Sequence, residues 1–288
     1  MAKYEFRLDE AAEGQRIDAC IRRFLPELPQ PTVRESFRRR DVKLDGKRVP
    51  PETRVHGGQM VAVYCMEQDA DPIEVVYEDG DVLLVNKRAG VSVVPDERGG
   101  ASLIELAHRH LLLSDAGALP PRPCHRLDNP TSGLCLLARN DHAEEVLVRA
   151  FRDRTLDKRY TCLVRGVMKP PAATCHAWLR KDAEEARVTI HDAPVPGGKP
   201  IITAYETLES GPVSRLSVHL VTGRTHQIRA HMAALGHPLL GDDLYGDRAF
   251  NRQMKARRLM LCATSLTLET QGELPNLDGR TFAISCPF

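Results

Sequence analysis

Apolar positions over residues 14 to 64 change period in a way that predicts a small self-contained unit. Ile17, Ile21, Phe24, Leu25 and Leu28 recur at helical spacing, and Pro26 ends the helix they predict. Thr32 is placed to cap a second short helix carrying Val33, Ser36 and Phe37. Val42-Lys43-Leu44, Asp45-Gly46 and Lys47-Arg48-Val49 read as a hairpin, because Asp-Gly supplies the positive φ angles that a type I′ turn requires. Gly57-Gly58 then turns the chain into a last strand, Met60 to Tyr64.

The acidic stretch from Glu67 to Pro72 reads as a linker. Beyond it, Ile73 to Tyr77 and Val82 to Val85 form a second hairpin. Further strands are expected at Leu134 to Ala138, Arg159 to Val164, Ile201 to Leu208, Ser214 to Val221 and Thr264 to Leu268. Helices are expected over about 102–112, 141–152 and 225–235. Strands outnumber helices and several are hairpin-linked, so the expected class is α+β, with a mixed, mainly antiparallel sheet and not a doubly wound one.

Composition narrows the picture. A chain of 288 residues with 42% hydrophobic positions can bury one large core and one small one. Lys plus Arg number 40 and Asp plus Glu 39, so bulk charge does not announce a polyanionic partner, and any such surface must come from local segregation. Two segments show it. Arg34 to Arg54 holds eight Lys/Arg against four Asp/Glu, and Arg248 to Arg258 holds five against none. The sequence contains no apolar run of the roughly 18 residues that a membrane span requires, and its charged start reads as no secretory signal. Eight scattered cysteines without a Cys-x-x-Cys pair read as reduced thiols of a cytoplasmic protein.

Three segments carry candidate chemistry. In Pro123-Cys124-His125-Arg126-Leu127-Asp128-Asn129-Pro130-Thr131-Ser132-Gly133-Leu134, a loop pinned before an apolar strand can hold a carboxylate firmly. A structural Arg-Asp pair closing a loop would leave the same trace. In Thr222-Gly223-Arg224-Thr225-His226-Gln227-Ile228-Arg229-Ala230-His231, Thr225 can cap a helix that ends near Gly236. His226 and His231 would diverge around that helix and the His-Glu-x-x-His pattern is absent, so no metal site is expected. Tyr160 opens an apolar strand after a basic run, which by itself fits packing as well as catalysis. Neither GxxxxGK[ST] nor GxGxxG occurs.

Taken together, His125-Arg126-Leu127-Asp128-x-x-Thr131-Ser132-Gly133-Leu134, Lys158-x-Tyr160, Gly223-Arg224-Thr225-His226-Gln227-Ile228-Arg229-x-His231, Gly236-His237-Pro238-x-x-Gly241-Asp242-x-x-Tyr245-Gly246 and Leu259-x-Leu261-x-Ala263 resemble the RluA-type pseudouridine synthases. The resemblance covers about residues 73–288. Residues 1–66 are similar to the αL RNA-binding domain of a small-subunit ribosomal protein, with Asp41 where that pattern has Gly and Asp45 where it has Asn. Arg88 stands where the synthases have Pro.

The resemblance implies an α+β pseudouridine synthase domain at 73–288, joined by a linker at 67–72 to an αL domain at 1–66. It implies a cofactor-free, metal-free isomerase acting on RNA, with large-subunit ribosomal RNA the expected substrate; a monomer is expected because nothing in the sequence demands more. Transfer RNA and a non-catalytic ribosome-assembly role are the alternatives. The implied catalytic residues are Asp128, Tyr160 as base-packing ring and candidate general base, and Arg229 as the aspartate's counter-charge. Arg126 would fill the space of an extruded uridine, and His125, Arg224, His226 and Gln227 would contact substrate. Arg38, Arg39, Arg40, Lys43, Arg252 and Lys255 would grip RNA backbone.

Overall fold

The computed structural model describes residues 2–288 apart from 26–27, 29, 66–72, 97–99 and 183–186. The expected linker at 67–72 and the helix-ending Pro26 therefore lie outside the described residues.

The N-terminal sheet contains β1 (Ala2–Arg7), β2 (Val42–Leu44), β3 (Lys47–Arg48) and β4 (Met60–Cys65), in the order β1-β4-β2-β3. Helices α1 (Ile17–Phe24) and α2 (Gln30–Arg38) belong to the same unit. Asp45 and Gly46 take φ angles of 48° and 80°, the mirror-image turn expected of an Asp-Gly hairpin. Two expectations are corrected. Strand β1, which the charged N-terminus concealed, pairs antiparallel with β4, and its alternation sends Tyr4 and Phe6 towards the core while Lys3, Glu5 and Arg7 face water. Thr32 is not a cap, because α2 already begins at Gln30; the Thr32 carbonyl instead accepts from Ser36 Oγ at 2.9 Å.

The second sheet has eleven strands. These are β5 (Glu74–Glu78), β6 (Val82–Lys87), β7 (Arg122–Pro123), β8 (Ser132–Ala138), β9 (Asp157–Arg165), β10 (Ala172–Lys181), β11 (Val188–His191), β12 (Lys199–Glu209), β13 (Val213–Leu220), β14 (Leu261–Leu268) and β15 (Arg280–Ala283). The main path runs β11-β10-β12-β13-β9-β14-β8-β6-β5, with β15 beside β14 and β7 beside β8. Every pairing is antiparallel except β8 with β14, so the α+β expectation holds.

The apolar runs at Val82–Val85 and Leu134–Leu137 are continuous because both faces of the sheet are covered. Val82, Leu84, Leu134 and Leu136 pack with Ala143, Val146, Leu147 and Ala150 of α4 (Asp141–Asp153). Leu83, Val85, Cys135 and Leu137 lie in the opposite core. That core also holds Leu103, Ala107 and Leu111 of α3 (Leu103–Leu112) and Ile228 and Met232 of α5 (Gln227–Ala234). Each such side chain contributes about 1.5–3 kcal/mol when fully buried, which fixes the strands in register.

That register places the candidate chemistry. Ala263 of β14 pairs with Gly133 of β8 on one side and Tyr160 of β9 on the other. The loop preceding β8 and the start of β9 are thereby brought to the same end of the sheet, although the two segments are distant in sequence. Gly133 has φ +111°, and a Cβ there would sit 2.3 Å from the Ala263 carbonyl oxygen, so only glycine permits this approach. Among the described residues, no helix is long and apolar enough to cross a membrane.

Candidate active site

The loop between β7 and β8 carries Asp128, whose carbonyl accepts from the Thr131 amide at 2.9 Å to close a turn. Its base is held by Lys87 at the end of β6. Lys87 is buried, and its Nζ donates to three carbonyls, those of Arg88 (3.1 Å), Val91 (2.7 Å) and Asn129 (3.1 Å). Burial lowers the Lys87 pKa to about 8.

Asp128 projects into a cleft of about 510 Å³, which is also lined by Tyr160, Arg126, Arg224, His226 and Arg229. A second cavity of about 660 Å³ shares Arg126, Asp128, His226 and Arg229, and adds Val93, Val94, Pro130 and Leu244. Arg126 is exposed and stands at the border of the two spaces.

Arg229 differs from the expected picture. Its nearest partner is Asp242, met through Nε and Nη2 at 2.8 Å each, with Nη2 also 3.2 Å from Asp243. Only Nη1 is turned to Asp128, 3.9 Å from Oδ2. Burial alone would raise the Asp242 pKa. The guanidinium, with the Leu244 and Tyr245 amides that bind the same carboxylate, outweighs burial and holds it below the usual range. Asp242 thus keeps Arg229 in place and leaves one edge free for the cleft.

His226 lies on the other side of Asp128, with Nε2 3.9 Å from the same Oδ2. Its backbone is left-handed at φ 54°, and it is the residue at which α5 starts, so the expected Thr225 cap is corrected. His226 Nδ1 is 3.0 Å from the Tyr245 hydroxyl, which accepts from the Val188 amide at 2.9 Å. The Tyr245 hydroxyl can give its proton to Nδ1, and in that tautomer the imidazole proton stands on Nε2, the edge that faces Asp128. Burial lowers the His226 pKa, although Asp128 opposes the shift, and favours the neutral ring. His231 turns elsewhere, its Nδ1 3.0 Å from Thr203 Oγ1. Among the described residues no group of three or more potential ligands could hold a metal ion.

Tyr160 is buried in the cleft wall, and burial followed by the nearby Asp128 raises its pKa. The phenol is therefore neutral at rest, and its ring is the part it offers most readily to a ligand.

Gln227 and His125, both expected to contact substrate, line the cleft and are also engaged within the protein. Gln227 is buried; its Oε1 accepts from Thr222 Oγ1 and the Arg224 amide, and its Nε2 donates to the Ile202 carbonyl and Thr203 Oγ1. It fixes the turn that presents Arg224 and His226. His125 Nε2 accepts the Leu136 amide at 3.0 Å, and its ring stacks on Phe151 at 4.4 Å. Burial first and Lys158 second lower its pKa to about 3, so this ring is neutral.

The expected RNA-gripping residues lie away from this cleft. Arg38 and Arg39 both pair with Glu35, at 2.5 and 2.8 Å, which neutralises part of the N-terminal patch. Arg40 is exposed, and Lys43 lies over the Tyr64 ring at 5.0 Å. Arg252 is exposed on α6 (Arg248–Gln253), and Lys255 is exposed just beyond it.

Sequence reasoning passed over Lys87, Asp242 and Tyr245 as functional positions, although each lay within or beside a motif. It also missed Lys158, Arg152 and Arg154 on the cleft rim. Lys158 could have been found, because positions two apart on a strand share a face and Tyr160 was already marked.

Comparison with known proteins gives consistent results. The family model described as RNA pseudouridylate synthase matches residues 81–234. The chain is 34% identical over 252 residues to ribosomal large subunit pseudouridine synthase D of Yersinia pestis, spanning 83% of this chain and 75% of the relative. It is 32% identical over 282 residues to ribosomal large subunit pseudouridine synthase C of Vibrio parahaemolyticus, spanning 91% and 87%. Among solved structures, human RNA pseudouridylate synthase domain containing 1 aligns with TM-score 0.59 at 29% identity, over 76% of this chain and 91% of that one. Human RNA pseudouridylate synthase domain containing 4 shares the fold at TM-score 0.62 and 21% identity, over 74% and 88%.

Proposed function

The chain belongs to the RNA pseudouridylate synthase family, and we propose that it converts uridine to pseudouridine in large-subunit ribosomal RNA with Asp128 as the catalytic carboxylate. The observation that carries the reading is the placement of Asp128 in one cleft with the Tyr160 ring, 3.9 Å from Arg229 Nη1 and 3.9 Å from His226 Nε2. Two relatives named for large-subunit ribosomal RNA support the choice of substrate.

The reaction breaks the bond from ribose C1′ to uracil N1 and forms one from C1′ to C5. The C5 proton leaves and N1 gains one, so atoms and charge balance without an oxidant. A carboxylate beside the sugar serves this chemistry either by attacking C1′ or by assisting proton removal, and both readings need it ionised. Arg229 supplies a guanidinium edge that is itself fixed by Asp242, and His226 supplies an N–H from the other side. Tyr160 packs the base and holds it while it turns. Arg126, at the border of the two cavities, fills the place in the RNA that the extruded uridine vacates. Arg40, Lys43, Arg252 and Lys255 contact phosphates farther along the RNA, with Arg38 and Arg39 beside them. On this reading the protein works as a cytoplasmic monomer and uses no cofactor.

The test is to incubate the protein with total RNA from a strain lacking it and to map pseudouridine. Wild type is expected to create pseudouridine in large-subunit ribosomal RNA, and Asp128→Asn none, while both bind that RNA alike. New pseudouridine confined to transfer RNA would move the substrate. Equal yield from Asp128→Asn would remove the catalytic assignment, and RNA binding without any pseudouridine would leave an assembly factor.

A further inference from the structure

The rim of the Asp128 cleft carries a cation whose surroundings lack a counter-charge. Lys158 is half-buried, and its ammonium lies 5.4 Å from the centre of the Phe151 ring. No carboxylate pairs with it among the described residues. Its charged neighbour is Arg154, which adds to burial in lowering the lysine's pKa. An ammonium on the cleft wall near a guanidinium, with no carboxylate partner among the described residues, is a site poised for an anion.

The local architecture keeps the position open. Gly223 passes so close that a Cβ there would lie 3.2 Å from Lys158 Nζ. Arg154 holds a left-handed conformation at the end of α4, with φ 62°. Arg152, Arg154 and Arg224 line the same cleft and are exposed, whereas Asp128 is the only lining carboxylate among the described residues. Lys158 and Tyr160 stand two positions apart on β9 and share its inner face, about 7 Å apart along the strand. The ammonium is therefore one pleat from the ring that packs the base.

The geometry points to a phosphodiester-binding site in which Lys158 and Arg154, with Arg224 across the cleft, take an RNA phosphate adjacent to the target nucleotide. This rests on the reading of the cleft as a uridine site and adds to it an anchor for the backbone. With the phosphate held by Lys158 and the base by Tyr160, the intervening ribose is constrained beside Asp128. The compact ammonium on the strand serves as a point charge, and the longer guanidiniums close over the phosphate oxygens.

Binding is measured first with a single-stranded uridine homopolymer over a series of salt concentrations. Lys158→Gln and Arg154→Gln are each expected to raise Kd and to reduce the slope of log Kd against log salt, together by up to about 0.7, the value for one lost phosphate contact on a single strand. Lys158→Arg keeps the charge and is expected to retain the slope. Arg154 is exposed, so its variant tests the site even if Lys158→Gln fails to fold. A second arm uses the RNA in which wild type forms pseudouridine, with a neutral methylphosphonate replacing either phosphate that flanks the target. One replacement is expected to weaken wild type and to weaken the Lys158→Gln/Arg154→Gln double variant, which keeps only Arg224, much less. Wild-type affinity and slope in both single variants, or a wild type indifferent to both replacements, would overturn the phosphate site. If wild type forms no pseudouridine in any RNA, the functional reading falls and the homopolymer arm alone decides the site.

Discussion

Arg229 and Asp242 meet through two parallel hydrogen bonds of 2.8 Å, with the guanidinium side chain 3% and the carboxylate side chain 0% exposed. The pair is a device for aiming. A guanidinium bound on two nitrogens cannot swing, so its third nitrogen is held 3.9 Å from Asp128 instead of collapsing onto it. Removing Asp242 takes away the bidentate partner of a buried guanidinium and leaves it Asp243 at 3.2 Å and Asp128 at 3.9 Å. Asp242→Asn is therefore expected to cost about 3–5 kcal/mol of folding stability, read from the urea midpoint. Arg229→Lys should fail to restore activity, because a point charge cannot make the bidentate contact. An Asp242→Asn protein as stable as wild type would show that the pair does not hold this loop.

Gly133 joins the Asp128 loop to the sheet at the only parallel pairing among the described strands. Gly133→Ala introduces a Cβ 2.3 Å from the Ala263 oxygen at a φ of +111°. Strain and overpacking together are expected to cost roughly 2–5 kcal/mol, and activity should fall with stability as β8 shifts away from β14. A thermal midpoint unchanged from wild type would mean that the strands part without penalty.

Much of this arrangement was legible in the chain, for reasons that differ by element. Asp128 and Tyr160 stand in ungapped segments flanked by apolar strands, so their local placement followed from short-range pattern. Strands β10 and β11 escaped notice because they lie at one edge of the sheet, where exposed positions such as His176 and Arg180 dilute the alternation. The role of Asp242 was hidden for another reason. It sits 13 residues from Arg229, beyond the end of α5, and the pairing depends on how the following turn folds back. The internal bonds of Gln227 and His125 were hidden too, because a polar residue in a motif reads alike whether it bonds substrate or backbone.

His125 makes acid stability informative. Its ordinary pKa is 6.5, and burial, aided by Lys158, lowers it to about 3 in the folded protein. Between these values the unfolded chain takes up a proton that the folded chain refuses. The ring's contribution is therefore fully present above about pH 6.5 and is lost as pH falls towards 3, at roughly 1.4 kcal/mol per pH unit. The Leu136 amide, which donates to Nε2, occupies that nitrogen's lone pair in the buried ring. Urea midpoints measured from pH 7 to pH 4 should show a steeper decline for wild type than for His125→Gln. Parallel declines would mean that the imidazole is free to protonate in the native state.

Tyr245 provides the most selective test of the His226 side of the cleft. Its hydroxyl accepts the Val188 amide and lies 3.0 Å from His226 Nδ1, while its ring lies 5.5 Å from the Arg229 guanidinium. Tyr245→Phe keeps the ring and the cation–π contact and removes only the hydroxyl. The Val188 amide then loses one neutral acceptor, a cost of about 1 kcal/mol in stability. His226 loses the hydroxyl that can donate to Nδ1, so the tautomer with its proton on Nε2, opposite Asp128, loses that support. If the Nε2 proton steadies the carboxylate during the reaction, kcat falls about tenfold, one hydrogen bond's worth of barrier, while KM for RNA changes little because neither group grips the backbone. His226→Gln, which can present an amide N–H towards Asp128, should retain more kcat than His226→Leu. An unaltered kcat in Tyr245→Phe, or equal loss in the two His226 variants, would confine the histidine to a packing role and leave Arg229 as the aspartate's sole polar support.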